Sequence, residues 1–186
     1  MKRLNRTCSF DIILFMISLK VKDVNNFMHK LLISDTFDNF LLCDGEIAAS
    51  CIITFNGRIN QKFFDTDELT SLTDDFVYWR NIKHIAYEAI KGNKVPSKMK
   101  IVFALSKTKY EETISKSGMH ITSDEIGGLY IHILYEVGQI EVITGTSLNT
   151  FTMDKTLDGY WDKTVTSFFH QHFDCKVPVS YTHLRA

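Results

Sequence analysis

The stretch LYIHILYEVGQIEVIT, residues 129–144, decides the fold class of this chain. Two runs rich in β-branched and aromatic residues, 129–135 and 139–144, flank the turn signal at Val137–Gly138. They predict an antiparallel hairpin, because strands joined by so short a turn must run in opposite directions. Apolar residues at helical spacing alternate with such strands along the chain. We therefore predict an α+β fold, a mainly antiparallel sheet with helices packed on it.

The order of predicted elements occurs twice, about 82 residues apart, over 17–92 and 99–170. Each pass has a strand, a helix, a long strand, a tight turn, a strand, and a helix opening with Tyr-Trp (Tyr78–Trp79 and Tyr160–Trp161). A repeated order of elements is typical of a duplicated unit. It favours two β-α-β-β-α halves, 16–95 and 96–174, related by internal duplication.

Turn and cap residues set the other predicted boundaries. Asp23 is a candidate N-cap for a helix that follows a first strand. Asn56–Gly57 predicts a type I′ hairpin turn between strands over 40–55 and 58–64. Apolar periodicity predicts one helix over 76–91 and a closing helix over 157–171, the latter preceded by a loop over 144–156.

Both ends of the chain differ from the predicted domain, which covers 16–174. Residues 1–15 precede a second methionine, Met16, and are predicted to be an upstream extension. PVSYTHLRA at 178–186 resembles a tail that recurs on unrelated sequences, so 175–186 is predicted to be non-native. The apolar run 12–19 is far shorter than the roughly 20 residues of a membrane span. Four cysteines without metal-type spacing indicate reduced thiols and a cytoplasmic protein without membrane attachment.

The loop 144–155 is the candidate ligand site. Its hydroxyls and amides precede a helix, where they can bind an anion, and glycine permits close backbone approach. The alternative is that the same residues cap the helix and satisfy the turn backbone. The candidate residues are Thr144, Gly145, Thr146, Ser147 and Lys155.

Four lysines around the bridge between the halves are the candidate partner-binding residues. They are Lys91, Lys94, Lys98 and Lys100. The chain has a formal net charge of −1, which predicts no general affinity for nucleic acid or anionic membrane. A solvated surface is the plain interpretation of these lysines, and phosphate contacts are the functional one.

We expect no metal site, no cofactor and no catalytic residues. His170 and His172 have ligand chemistry, but residues two apart on a helix point in different directions. The acidic loop 65–75 begins like a calcium-binding EF-hand, but Thr70 stands where the glycine is needed and Phe76 where the final glutamate is needed. Phosphate-binding, nucleophile-elbow and zinc-protease motifs are absent from the sequence. Asp74 and Asp75 are interpreted as acids at a helix N-terminus.

Several segments resemble an uncharacterised family of small bacterial proteins from anaerobic gut Firmicutes, a domain of unknown function. The segments that carry the resemblance are MISLKVKDVNNFMHKLLISDTFDNFLL (16–42), TFNGRINQKFF (54–64), YWRNI (78–82) and TGTSLNTFTMDKTLDGYWD (144–162). The resemblance supplies no site residues. We expect a non-enzymatic intracellular binding module with a protein or nucleic-acid partner. The alternative is an enzyme that acts on a small anionic substrate at 144–155.

Overall fold

The computed structural model describes residues 17–92 and 94–176. This part of the chain forms seven strands and five helices. The strands are β1 (Ser18–Val21), β2 (Leu41–Ala48), β3 (Ile52–Asn56), β4 (Lys98–Ala104), β5 (Ile126–Glu136), β6 (Gln139–Leu148) and β7 (Cys175–Lys176). The helices are α1 (Val24–Leu32), α2 (Thr66–Ser71), α3 (Lys83–Ile90), α4 (Tyr110–Ser117) and α5 (Thr156–His172).

All seven strands belong to one sheet in the order β3-β2-β4-β5-β6-β1-β7. Every neighbouring pair is antiparallel. The predicted hairpin at Val137–Gly138 is present, and both residues have positive φ (50° and 73°), as a type I′ turn requires. The predicted α+β fold class is confirmed.

Alternation along the central strands separates two faces of the sheet. In β4, Met99, Ile101 and Phe103 are buried in the main core, whereas Lys98 and Lys100 lie on the opposite face. Buried residues of α1, α3, α4 and α5 pack against the first face, which we call the helix face. Phenylalanines of α1, of the segment after it and of α5 stack together there, with Phe27 and Phe37 at the centre.

The duplication is not confirmed, because the two halves pair their strands differently. In the second half, β4 pairs with β5 of the same half. In the first half, β1 does not pair with β2; it lies between β6 and β7. The similar order of elements therefore does not extend to a repeated sheet topology.

The hairpin predicted at Asn56–Gly57 is wrong. The chain reverses over 49–51, inside the apolar run, and Ala49 N donates to Cys51 O at 3.0 Å. Gly57 follows β3 with its backbone pressed against β2. A Cβ at Gly57 would overlap the carbonyl oxygen of Leu42 and lie 2.6 Å from its carbonyl carbon. This glycine is needed for a close backbone approach and not for a turn.

Two other predicted boundaries change. The helix predicted over 76–91 begins only at Lys83. It is preceded by an extended segment, in which Tyr78 pairs with Leu41, and then by a 3-10 turn at Trp79–Asn81. Residues 144–148 are not a loop, because β6 continues to Leu148. The closing helix agrees with its prediction, and Asp23 caps α1 by accepting from Asn26 N at 3.0 Å.

The predicted terminal segments lie largely outside the described residues. The extension 1–15 and the stretch 178–186 fall wholly outside them. The first two residues of the predicted tail, Cys175 and Lys176, form β7 against β1. None of the described helices has both the length and the apolar content to cross a membrane.

Candidate functional site

Threonines 144 and 146 fasten β6 to α5. Thr144 is only 1% exposed; its Oγ1 donates to Asp162 and accepts from Ile17 N at 3.1 Å. Thr146 Oγ1 donates to Asp158, one turn earlier on α5. The two hydroxyls and the two carboxylates are paired in a part-buried layer between sheet and helix.

The electrostatics of this layer oppose an anion. Burial raises the pKa of Asp162, the nearby Asp158 carboxylate raises it further, and the hydrogen bond from Thr144 acts in the opposite direction. Lys155 Nζ lies 3.4 Å from the Asp158 carboxylate. Because the layer already contains two carboxylates, it is not arranged as an anion cradle.

The five predicted ligand residues lie on both sides of the sheet. Thr144 and Thr146 point to the helix face, and the strand's alternation directs Gly145 and Ser147 to the other face. Gly145 is buried there against the imidazole of His132, whose Nε2 is 3.5 Å from the position of a Cβ. Burial lowers the pKa of His132, and the charge of Lys100 adds to the effect. These residues do not converge on one pocket.

The four predicted partner-binding lysines also separate. Lys98 and Lys100 lie on the face opposite the helices, where Lys100 Nζ is 3.2 Å from the Asp44 carboxylate. Lys91 is the C-cap of α3 and pairs with Glu88 at 3.3 Å. Lys94 is exposed in the connection to β4. They form no continuous stripe along one surface.

Both Tyr-Trp pairs place their indole rings in the core. Trp79 Nε1 donates to Leu31 O at 2.7 Å, one of the last carbonyls of α1, which the helix itself cannot satisfy. Trp161 Nε1 donates to Tyr130 O at 2.9 Å. The tryptophans are therefore structural residues rather than stacking surfaces.

Sequence reasoning missed a buried carboxylate at Asp74. Because α3 begins only at Lys83, Asp74 does not cap a helix. It accepts from Ser106 Oγ at 2.7 Å, from Lys107 N at 2.9 Å and from Tyr78 OH at 3.2 Å. Burial raises the pKa of the neighbouring Tyr110 phenol. No local signal could have found this cluster, because its members come from segments about 30 residues apart.

The Asp74 cluster joins the segment 74–78 to residues 106–107 by hydrogen bonds and is not an active site. The cavity beside it has a volume of about 40 Å³, which is close to the roughly 30 Å³ share of one water molecule. The Asp74 carboxylate accepts from three donors, and no histidine lines the cavity. Within the described residues, no group of three His, Cys, Asp or Glu side chains could hold a metal ion.

The larger concavity is a groove between α1 and α3, with a volume of about 440 Å³. It forms because each helix turns only part of its apolar surface inward: α1 buries Phe27, Leu31 and Leu32, and α3 buries Ala86. The flanking apolar residues remain accessible, and Ile33 is 53% exposed. The groove is lined by Asn25, Met28, His29, Leu32, Ile33, Tyr87, Ile90, Lys91 and Gly92. We call it the α1–α3 groove.

The charged side chain in the lining of the α1–α3 groove is Lys91. Its lining contains no carboxylate, and Lys91 Nζ lies 5.9 Å from the centre of the Tyr87 ring. Lys91 was predicted from the sequence as a partner contact. The groove itself was not predicted, although the helical spacing of Met28 and Leu32 was visible. It offers an apolar floor with a cationic rim and no acid–base pair.

These observations define a two-layer α+β protein with one open helical groove and no catalytic constellation in its described part. The chain belongs to the family described as Family of unknown function (DUF5721), whose model matches residues 30–174. No curated protein and no solved structure matches the chain.

Proposed function

We propose that this protein is a non-enzymatic binding module that holds an amphipathic segment of a protein partner in the α1–α3 groove. The observation that carries the proposal is the groove itself, an accessible apolar channel between two helices with Lys91 at its rim. Amphipathic helices commonly bind in such grooves through apolar residues one turn apart.

The shape and lining of the groove favour a protein segment, rather than a small substrate, as its ligand. Met28, two isoleucines and Tyr87 form an apolar floor, and the unbranched side chain of Met28 can adapt to the shape of a partner. The rim carries His29 and Lys91 without a carboxylate in the lining, which favours a partner with acidic residues beside its apolar face. The exposed Lys91–Glu88 pair is no obstacle, because such pairs contribute only about 0–1 kcal/mol.

Nucleic acid and a small anionic substrate receive less support. Phosphate binding needs clustered cations, and the four lysines lie on both sides of the sheet. At 144–155, the threonines are bonded to Asp158 and Asp162, whose charges oppose an anion. The binding module is therefore the function that we propose, with a protein as its partner.

The test compares two isoleucines of similar exposure. Ile33→Gln alters the groove, and Ile85→Gln alters α3 outside the groove at a residue that is 48% exposed. Tagged wild type and variants would be purified from the native cells, and the co-purified proteins quantified by mass spectrometry. The affinity of any recovered partner would then be measured by calorimetry.

We expect Ile33→Gln to lower the affinity for the recovered partner by about 5–30-fold, the equivalent of roughly 1–2 kcal/mol of lost apolar contact. Ile85→Gln should leave binding unchanged. Lys91→Glu should also weaken binding of an acidic partner, whereas Lys163→Glu, at an exposed residue of α5, should not. Equal recovery of the same proteins by both isoleucine variants would contradict the proposal, as would salt-sensitive binding of an oligonucleotide that depends on Lys98 and Lys100.

A cytoplasmic location is part of the proposal. It is supported by the cysteines of the described part, because Cys43, Cys51 and Cys175 form no disulfide. The Firmicutes origin implied by the resemblance stays a prediction. Identification of the source genome and localisation of the tagged protein would test these two points.

A further inference from the structure

The outer edge of the sheet at β3 carries none of the usual protection against pairing. Its sequence, IITFN at 52–56, contains no charge and no proline, and Ile52 is 69% exposed. Natural proteins normally blunt an edge with lysine, proline, a bulge or a very short strand. The opposite edge, β7, has two residues, one of them Lys176. The β7 edge is therefore protected against pairing with another strand by its short length and its lysine, whereas the β3 strand has no such protection in its sequence.

The hydrogen bonds on either side of β3 identify the backbone groups that face outward. Gly57 N donates to Cys43 O at 3.3 Å, and Ala49 N donates to Cys51 O at 3.0 Å. In an antiparallel ladder, hydrogen-bonded residues alternate with residues that point their N–H and C=O away. Odd-numbered residues of β3 therefore bond to β2, and Ile52, Thr54 and Asn56 point outward. In the described ranges, no strand lies on that side.

We propose that the partner of this edge is a second copy of the chain, joined by antiparallel pairing of the two β3 strands about a two-fold axis at Thr54. In this register, Thr54 lies opposite Thr54 of the second copy, and Ile52 lies opposite Asn56. All three outward-facing residues then take part, and each opposed pair exchanges two backbone hydrogen bonds. The result is one continuous sheet across both copies.

The side chains of β3 are complementary to themselves in this register. Ile53 and Phe55, both half-buried on the helix face, become cross-strand neighbours, an aromatic and β-branched pair of the kind that stabilises sheets. No charged residue of the strand meets its own copy. Arg58, the first charged residue after the strand, lies opposite Ser50 of the second copy and therefore does not face the Arg58 of that copy. A strand with these properties fits its own copy without further adjustment.

The proposal is independent of the α1–α3 groove. A two-fold axis that makes strands antiparallel in one sheet is perpendicular to that sheet, so both helix layers lie on the same side. No groove-lining residue belongs to β3. Loss of the dimer and loss of groove binding can therefore be measured separately.

The first test is the oligomeric state of the full chain by light scattering and sedimentation, from about 1 µM to about 1 mM, a range that covers weak association. We expect wild type to dimerise and Thr54→Lys to be monomeric, since it opposes two like charges across the axis. The new lysine lies beside Glu46 on β2, which favours the folded monomer. Thr164→Lys, at an exposed residue of α5, should remain dimeric. Thr54→Pro removes one outward N–H and should also be monomeric.

The second test is oxidative cross-linking in a chain whose Cys8 and Cys51 are replaced by serine. With Thr54→Cys, the two Cα atoms across the axis lie about 5.5 Å apart, within disulfide range. Ser50→Cys is the control, because its equivalent is eight positions out of register, about 26 Å away. Preferential cross-linking at position 54 supports the proposal. It is overturned by a wild type that stays monomeric, by a dimer that survives Thr54→Lys, or by equal cross-linking at both positions.

Discussion

Replacing Gly57 by asparagine tests whether this glycine serves a close contact or a turn. The Cβ of any larger residue would lie 2.6 Å from the carbonyl carbon of Leu42, and ordinary carbon contacts begin near 3.5 Å. The backbone must therefore separate by at least about 1 Å, because the Cβ would also overlap the Leu42 carbonyl oxygen. If Gly57 were the second residue of a type I′ turn, asparagine would be among the best replacements, because it tolerates positive φ.

The magnitude follows from the hydrogen bonds that this separation breaks. Gly57 N to Cys43 O is 3.3 Å, Val77 N to Gly57 O is 2.9 Å, and Leu42 N to Val77 O is 2.8 Å. Val77 bonds to both sides of this gap and can keep one of its two bonds, so the added separation breaks two or three of these hydrogen bonds. At about 0.5–1.5 kcal/mol each, their loss costs roughly 1–4.5 kcal/mol of unfolding free energy.

Urea unfolding followed by circular dichroism is the assay, and Gly138→Asn is the control. Gly138 has φ +73° and open space around its Cβ position, so asparagine there should cost less than about 1 kcal/mol. With a urea dependence of about 2 kcal/mol per molar, Gly57→Asn should lower the midpoint by about 0.5–2 M. The reasoning is refuted if the two variants unfold within about 0.3 M of each other.

Two further predictions use the same unfolding assay. Trp79→Phe should cost about 2–4 kcal/mol, because it leaves a cavity and an unpaired carbonyl at Leu31; a cost below about 1 kcal/mol would show that this hydrogen bond is dispensable. For Asp162, burial raises the folded-state pKa above the unfolded value of about 3.9, so the folded state holds its proton to higher pH. The stability of wild type relative to Asp162→Asn should fall as pH rises from about 4 through that raised pKa and then level off. The exposed Asp154, whose pKa is lowered by hydrogen bonds from Thr156, should show the opposite trend in Asp154→Asn, and equal trends would contradict the assignment.

The parts of the fold that depend on local pattern were predictable. The β5–β6 hairpin alternates over 129–136 and 139–144, because one face meets helices and the other is partly solvated. The turn at Val137–Gly138 and the closing helix α5 also have local signals. In these segments, sequence neighbours determine the backbone without help from distant residues.

The parts that depend on distant contacts were not predictable. β2 is apolar on both sides, because Phe76 and Tyr78 cover Leu41 and Cys43 on the face away from the helices, so its alternation is hidden. The turn at 49–51 has no glycine or proline, and the more familiar Asn-Gly signal competed with it. Threonines 144 and 146 looked like loop residues because the carboxylates that bond them lie on the following helix.

The candidate site was predictable only in fragments. Lys91 was identified from charge, and the helical spacing of the apolar residues in α1 was recognised. The α1–α3 groove exists because α3, more than 50 residues later, packs beside α1 and leaves a channel between them. A single sequence contains no local record of that approach, and therefore neither the channel nor its basic rim could be foreseen.

The position of β1 has a consequence for synthesis of the chain. Val21 pairs with Ile140 in β6, and with Cys175 on its other side. At roughly 5–20 residues per second, the ribosome needs about 6–24 s to extend the chain from Val21 to Ile140. Strands β4, β5 and β6 can pair with one another as they emerge, because they are neighbours in sequence. Strand β1 cannot pair until β6 and β7, which come much later in the chain, have been synthesised. The nascent protein therefore carries an unmatched strand, with Leu19 and Val21 uncovered, through most of translation, a period in which chaperone binding would protect it from pairing with the wrong chain.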